Sequence, residues 1–204
     1  PRNKQRRHEM DSTTVKLEIE ADFGCFTDPL SGASFRTYPF PTFSALQQIA
    51  YAIADAHNAY AKPVLLRICS PLKFANYTFT YAGAYRKQGR AGFVGHSTVL
   101  VNPRYQVHYE VVSRNEDGEN PKAVGLLRQL FEYNVTEGRC KRTPFMGRGE
   151  FVMKYAGPWR DAEPENINIT VPRMLRSVFE ERFNGEFAPV FADVKCEHGV
   201  VHYA

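Results

Sequence analysis

The spacing of apolar residues along the first half of the chain constrains the fold more than any other feature. In TVKLEIE, residues 14–20, apolar and charged side chains alternate, which predicts a half-buried strand. In FSALQQIAYAIADAHNAY, residues 43–60, the apolar positions follow helical spacing, and Thr42 is a suitable N-cap. KPVLLRICSP predicts a buried strand, and STVLVNPRYQVHYEVVSR predicts two strands joined at an Asn-Pro step.

A second amphipathic helix is predicted in KAVGLLRQLFEYNV, residues 122–135. The resulting order is strand, helix, strand, strand, helix, with further hairpin material. This order is typical of an α+β fold of the ferredoxin-like (RRM-like) kind, in which an antiparallel sheet carries helices on one face. The open face of such a sheet is a familiar platform for RNA.

The composition of the sequence changes after Gly138, where Pro, Gly and Arg become more frequent. Short β segments then follow: GEFVMKY, NINITV, APVFADVK and GVVHYA. We therefore expect a disordered basic arm at residues 1–13, a ferredoxin-like RNA-binding domain at 14–138 and a small β-rich subdomain at 139–204.

Composition limits the classes of function. The 204 residues carry a net charge of +4 and a pI of about 8.9, which is compatible with an anionic partner. The four cysteines form no C-x-x-C pair, so we expect neither a zinc site nor a redox pair, and no cofactor. The scattered cysteines favour a reducing, cytoplasmic compartment, and no apolar run approaches the ~18 residues of a membrane span, so we expect no membrane contact.

The stretch RCKRTPFMGRGEF, residues 139–151, holds the strongest local signal for an anion. Four cations fall within ten positions: Arg139, Lys141, Arg142 and Arg148. Gly147 and Gly149 permit close backbone approach to a ligand, and guanidinium groups can meet phosphate oxygens in bidentate fashion. The alternative is a solvated loop whose arginines pair with Glu150 or Glu137. Residues 139–148 are called the cationic segment below.

A second cationic cluster lies in the glycine-rich stretch YRKQGRAGFVGH, just after an aromatic ribbon. Its cations are Arg86, Lys87 and Arg90. Two flexible basic segments flanked by aromatics favour a groove for RNA over a site for one phosphate, although a mobile surface hairpin is the alternative. His96 is a further candidate RNA contact, or else a structural histidine. Candidates for stacking on bases are Tyr38, Tyr81 and Tyr85.

Four residues carry groups that metal-independent RNA cleavage requires. Such cleavage needs a base near the 2′-hydroxyl and a cation near the scissile phosphate. Tyr51, His57 and Tyr60 lie on or after the first helix, and Lys122 opens the second. These four could form such a set only if the fold brings them together.

Five stretches, in order and spacing, resemble one family. They are GCFTDPLSGASFRTYPFPTFSALQQIAYAI, KPVLLRICSPLKF, HSTVLVNPRYQVHYEV, EGRCKRTPFMGRGEF and FADVKCEHGVVHYA. The family is the Cas-five family of CRISPR-associated proteins, in particular its subtype I-C branch. The match runs from about Val15 to the C-terminus.

The resemblance implies a ferredoxin-like fold with a C-terminal β extension. It also implies a subunit of Cascade, the surveillance complex guided by CRISPR RNA (crRNA), seated at the 5′ handle of the guide. Its partners would be the crRNA, the backbone subunit and the large subunit, with target DNA reached through the complex.

The resemblance bears on catalysis as well. Proteins of the subtype I-C branch often cut the repeat RNA, using an aromatic or imidazole group at the end of the first helix and a Lys-His step at the start of the second. Those positions are similar to Ala54 and to Lys122-Ala123 here, so two of three groups are missing. Tyr51 and His57 would lie one helical turn to either side of Ala54. We expect crRNA binding with little or no cleavage; the alternatives are an active endoribonuclease and a purely structural scaffold.

Overall fold

A computed structural model describes residues 13–32, 34–81, 93–114, 120–179 and 187–203. These residues form ten strands, two α-helices and a 3-10 turn at Pro29–Ser31. The strands are β1 (Thr14–Glu20), β2 (Phe23–Gly24), β3 (Ala59–Ile68), β4 (Phe74–Tyr81), β5 (Phe93–Val101), β6 (Arg104–Ser113), β7 (Tyr155–Gly157), β8 (Ile169–Phe179), β9 (Phe187–Glu197) and β10 (Val200–His202). The helices are α1 (Phe43–Ile53) and α2 (Pro121–Thr136).

The strands form two antiparallel sheets. The larger sheet has the order β7-β1-β6-β3-β10-β9-β8, and the smaller has the order β2-β5-β4. Along the chain, β1, α1, β3, β6, α2 and β7 follow one another, with the β4–β5 hairpin inserted between β3 and β6. The expectation of an α+β fold built on antiparallel strands is therefore confirmed.

Helix α1 begins as the sequence predicts and ends abruptly. The Thr42 hydroxyl accepts a hydrogen bond from the Ala45 amide at 3.1 Å, which caps the first turn. The helix stops at Ile53, because Ala54 has an extended backbone with φ −148° and ψ 149°. The expectation that His57 lies one helical turn beyond Ala54 is therefore wrong.

Aromatic side chains fill the core between the larger sheet and the two helices. Tyr109 of β6 is fully buried, lies 5.8 Å from the ring of Phe131 on α2, and donates to the Leu46 carbonyl of α1 at 3.1 Å. At the end of the chain, the Tyr203 hydroxyl donates to the Pro41 carbonyl just before α1. Full burial of each large side chain stabilises the fold by about 1.5–3 kcal/mol.

Strands from both sides of residue 139 share the larger sheet. β7 pairs with β1, and β10 pairs with β3, so both flanks of the β1-β6-β3 core are completed by later strands. The division of the chain into domains at residue 138 stays a prediction. Residues 1–12 of the expected basic arm lie outside the described residues.

The opposite face of the larger sheet holds an ion network around the buried Glu18. Glu18 of β1 is 0% exposed, and its carboxylate accepts hydrogen bonds from Arg104 Nε at 2.8 Å, Gln106 Nε2 at 2.9 Å and Arg160 Nε at 2.7 Å. The Arg160 amide adds a bond of 2.8 Å. Burial opposes the charge on Glu18, but these hydrogen bonds together hold the pKa of its carboxyl below the usual range.

Residues 158–163, called the strap below, lie across the strands of this face. The Trp159 ring contacts the His108 ring edge-on at 4.5 Å, and Lys16 and Arg67 lie over it at 5.0 and 5.4 Å. Arg67 also donates to the Ala162 carbonyl at 3.2 Å. The expected open platform for RNA is therefore covered at β1, β6 and β3 by the chain itself.

Candidate nucleic-acid interface

The cationic segment begins by docking its backbone onto the end of α1. The Lys141 amide donates to the Ile53 carbonyl at 3.3 Å, and the Arg142 amide donates to the Ala52 carbonyl at 3.0 Å. The Asn134 side chain, from the last turn of α2, adds a bond of 2.8 Å to the Ile53 carbonyl. Carbonyls at a helix end have no partner within the helix, so this docking satisfies them and fixes the segment.

Two cations of the segment gather around Tyr51. Lys141 Nζ lies 4.7 Å and Arg142 Cζ lies 5.3 Å from the centroid of the Tyr51 ring. Lys141 Nζ also pairs with Asp55 Oδ2 at 2.6 Å, and Arg114 lies 3.8 Å from the same carboxylate. The hydrogen bond to Asp55 is the main reason that the pKa of Lys141 is raised. We call Tyr51, Asp55, Lys141 and Arg142 the Tyr51 cluster.

The other two cations of the segment lie against separate aromatic rings. Arg139 lies over Tyr133 at 5.5 Å, at the end of α2. Arg148 lies 3.9 Å from the Phe35 centroid and pairs with Glu150 at 2.7 Å. Pairing with Glu150 is what the solvated-loop alternative expected. Such a partly exposed pair is worth only about 0–1 kcal/mol, so a phosphate can compete for the arginine.

The segment enters the core between Arg142 and Arg148. Pro144 and Met146 are buried, and the Met146 carbonyl accepts from the Cys25 amide at 2.9 Å. Gly147 has φ +86°, and a Cβ there would lie 2.1 Å from the Cys25 carbonyl oxygen. The freedom of Gly147 is therefore used to pack the chain on itself. At Gly149, a Cβ would meet nothing within 4 Å.

An open cleft of about 500 Å³ adjoins the Tyr51 cluster. One wall is α1, the second is residues 142–147 of the cationic segment, and the third is β8. Its polar lining residues are Thr27, Thr42, Ser44, Gln47, Gln48, Tyr51, Arg142, Thr143 and Ser177. The cleft thus combines hydroxyl and amide groups with one guanidinium at its border.

The second cationic cluster lies outside the described residues, as does Tyr85, so Arg86, Lys87 and Arg90 keep the status of predictions. Tyr81 ends β4, the strand before them. His96 lies exposed on β5, with its ring nitrogen 3.4 Å from Thr78 Oγ1 on β4. His96 thus lies on the strand that follows the second cluster in the sequence.

Tyr38 does not have the surface position that stacking on a base would require. It is 6% exposed, its hydroxyl donates to Asp28 Oδ1 at 3.3 Å, and it accepts from the Leu175 amide at 3.2 Å. The expectation that Tyr38 contacts RNA is corrected here, because the side chain is a hydrogen-bonded part of the core.

The candidate residues for cleavage do not form a joined set. Tyr51 lies with Lys141 and Arg142, whereas His57 is exposed in the turn before β3 and Lys122 is exposed in the first turn of α2. Among the hydrogen bonds, ion pairs and ring contacts described, none links Tyr51 to His57 or Lys122. Ala54, the position suggested by the family resemblance, is the buried C-cap of α1.

Two partners of the cations were missed by sequence reasoning. Asp55 pairs with Lys141 across 86 positions of the chain, and Phe35 meets Arg148 across more than a hundred. Neither has a local pattern that marks it as a partner. Asp55 lies within the stretch that the sequence predicts to be helical, so its position gave no signal of this pairing.

In the part of the chain that the structure describes, no group of three or more His, Cys, Asp or Glu side chains is placed to hold a metal ion. Neither α1 nor α2 is long and apolar enough to cross a bilayer, and no other helix is described that could do so.

Comparison of the fold with solved structures gives clear likenesses, although no family model and no curated protein matches the sequence. A CRISPR-associated protein is similar with a TM-score of 0.69 and 17% identity, covering 94% of this chain and 91% of that chain. A functionally uncharacterized protein from Streptococcus mutans is similar with a TM-score of 0.67 and 16% identity, covering 94% and 92%. A chain of a CRISPR RNA-guided surveillance complex has a TM-score of 0.53 and 12% identity, covering 91% of each. This chain therefore has a fold that is found among CRISPR-associated proteins.

Proposed function

We propose that this protein is a crRNA-binding subunit of a type I CRISPR surveillance complex, Cascade, and holds the 5′ handle of the guide RNA in antiviral defence. The observation that carries the proposal is the Tyr51 cluster on a fold found among CRISPR-associated proteins. Lys141 and Arg142 are exposed beside an aromatic ring, and their backbone is fixed by α1. Cations flanking an aromatic ring suit the phosphates and bases of a single-stranded nucleic acid.

The strand order supports assigning the core to the ferredoxin-like class. β7, β1, β6 and β3 lie side by side in that order, and β1, α1, β3, β6, α2 and β7 succeed one another along the chain. A β-α-β-β-α-β succession in an antiparallel sheet is the ferredoxin-like pattern. β8, β9 and β10 then correspond to the C-terminal β extension that the Cas-five resemblance implies, in particular for the subtype I-C branch.

Binding of RNA would use the edge of the fold at which the helices end. Arg139 and the Tyr51 cluster lie at the ends of α2 and α1, and Arg148 lies on the Phe35 ring. Phe35 in turn stacks on Phe79 of β4 at 5.4 Å. That strand leads directly into the second cationic cluster, so we assign Arg86, Lys87, Arg90 and His96 to the same RNA-binding role.

Partner subunits would cover the apolar side chains that the fold leaves exposed. On α2, Leu126 is 62% exposed and Tyr133 is 49% exposed, whereas Leu127 on the other side of the helix is buried. On β9, Phe187 and Phe191 are exposed as well. These surfaces suit contacts with the backbone subunit and the large subunit, and target DNA would be met through the complex.

The described contacts favour binding of RNA over its cleavage. Tyr51 lies beside two cations, which suits binding of a phosphate, but His57 and Lys122 make no described contact with it. A general base must lie within hydrogen-bond reach of the proton that it removes. The endoribonuclease therefore remains the alternative without an observation that favours it.

The test is binding of an RNA made from the CRISPR repeat of the same genome, followed by fluorescence anisotropy. The Lys141→Ala/Arg142→Ala double variant should bind about tenfold or more weakly, because two phosphate contacts are lost. Lys195→Ala, an exposed cation on β9, serves as the matched control and should bind like the wild type. Absence of binding by the wild type at low salt would refute the proposal and favour the scaffold.

A further inference from the structure

In the cleft beside the Tyr51 cluster, one wall carries a row of polar side chains that binding of a phosphate does not explain. Ser44, Gln48 and Tyr51 line it from α1 at positions i, i+4 and i+7, so they lie on one face of the helix. Together they present a hydroxyl, a carboxamide and a phenol in a row. A carboxamide both donates and accepts, which suits the polar edge of a nucleobase.

Most of the remaining lining of the cleft is apolar. Leu175 and Val178 of β8 line it, together with Phe26 and Phe145, and Ser177 adds a hydroxyl. Apolar walls with a few placed polar groups are typical of small-molecule sites, and the volume of about 500 Å³ lies within their usual range of about 300–1,000 Å³. A flat base with apolar faces and a polar edge has the matching chemistry.

The cleft is continuous with the cations of the cationic segment. Arg142 lines the cleft and also lies over Tyr51, which lines it too. A nucleotide that placed its phosphate at Arg142 would therefore have its base at the entrance of the cleft. An apolar side chain of a protein partner could fill the same volume, but it would leave Arg142 and Gln48 without a matching group.

We propose that this cleft takes one unstacked nucleotide of the bound RNA, with the base between α1 and β8 and its phosphate at Arg142. The inference rests on the proposed function, since it needs a bound RNA. One position of that RNA is then held through its base. The cationic segment alone would hold RNA of any sequence through the phosphates.

Photo-cross-linking tests the placement directly. The probe is the repeat-derived RNA carrying a single 4-thiouridine, moved one position at a time. One position should cross-link to a peptide containing residues 42–52 or 142–145. Removing the base at that position should weaken binding to the wild type by about fivefold or more, because stacking and edge contacts are lost.

Two variants report on the cleft itself. Ala45→Phe adds a ring within the cleft and should lose about as much affinity as the abasic RNA does, and the abasic change should then cost nothing further. Gln48→Ala should reduce affinity for the intact RNA but not for the abasic RNA. Gln129→Ala, exposed on α2, is the control and should leave both affinities unchanged.

The outcomes separate the two proposals. If the RNA binds and Arg142→Ala weakens it, but no position cross-links to these peptides and the abasic RNAs bind equally well, the cleft is not a nucleotide site and the proposed function stands. If the wild type binds no RNA, both proposals fail. The abasic series uses the wild type alone, so it decides the question even if Ala45→Phe does not fold.

Discussion

Lys141 Nζ and Asp55 Oδ2 lie 2.6 Å apart, although 86 positions of the chain separate the two residues. The pair ties the cationic segment to the residue that follows the C-cap of α1. It also places a carboxylate next to the cations that we assign to phosphate binding. Removing the negative charge of this carboxylate should therefore strengthen the binding of RNA.

Asp55→Asn should raise the affinity for the repeat-derived RNA by about two- to fivefold at low salt. The substitution removes a negative charge beside the bound phosphate and frees Lys141 from its partner, an effect of the size of one exposed ion pair. Anisotropy titration at 50 mM and 300 mM salt checks it, since the gain should shrink as salt screens the charges. Asp161→Asn, on the strap, should change nothing. Weaker binding by Asp55→Asn would contradict the assignment of Lys141 to phosphate.

Gly147→Ala should lower the free energy of unfolding by about 2–3 kcal/mol. Its backbone has φ +86°, and the added Cβ would lie 2.1 Å from the Cys25 carbonyl oxygen. Gly149→Ala, two positions later, meets nothing within 4 Å and should be nearly neutral. Urea unfolding of the two variants at pH 7 makes the comparison, and equal midpoints would show that Gly147 is not fixed as described.

Glu18→Gln should destabilise the fold by about 2–3 kcal/mol at pH 7. The neutral amide has one accepting oxygen instead of two, so it weakens the charged hydrogen bonds that the buried carboxylate accepts from Arg104 and Arg160. The pKa of Glu18 is lower in the folded than in the unfolded chain. Its stabilisation is therefore present above the unfolded pKa, near 4.5, and is lost as pH falls through the folded value. The difference in urea midpoint between variant and wild type should narrow as pH falls from 7 to 3. A constant gap would contradict the account.

Tyr38→Phe should leave RNA affinity unchanged while lowering the free energy of unfolding by about 1 kcal/mol. The substitution removes the hydroxyl that donates to Asp28 and accepts from the Leu175 amide, but the buried ring stays in place. Anisotropy and urea unfolding on the same preparation provide both readouts. A stable variant with impaired RNA binding would restore Tyr38 to the interface.

The parts of the fold that follow from local pattern were predictable. Thr42 caps α1 as its residue type indicates, and the alternation in TVKLEIE forms β1 with Val15, Leu17 and Ile19 buried. The end of α1 was not predictable from local pattern, because Ala54 is a good helix former, yet its backbone is extended five residues before β3 begins. Local propensity gives way there to the tertiary fold.

The site was predictable only in its charges. The run of cations in the cationic segment is visible in the sequence, but their division between Tyr51 and Phe35 depends on contacts across the chain. The strap was hidden for the same reason, since the bonds from Arg160 to Glu18 span 142 positions. Tyr38 shows the converse error, because the short proline-containing stretch SFRTYPFP has no periodicity that would indicate its burial.

The dependence of RNA affinity on salt tests the central claim most directly. For a single strand held by its phosphates, the logarithm of the binding constant should fall linearly with the logarithm of salt concentration, by about 0.7 for each phosphate contacted. The Lys141→Ala/Arg142→Ala double variant should reduce this slope by about 1.4, which corresponds to two contacts. A slope that is the same for wild type and double variant would show that the Tyr51 cluster does not hold the RNA backbone.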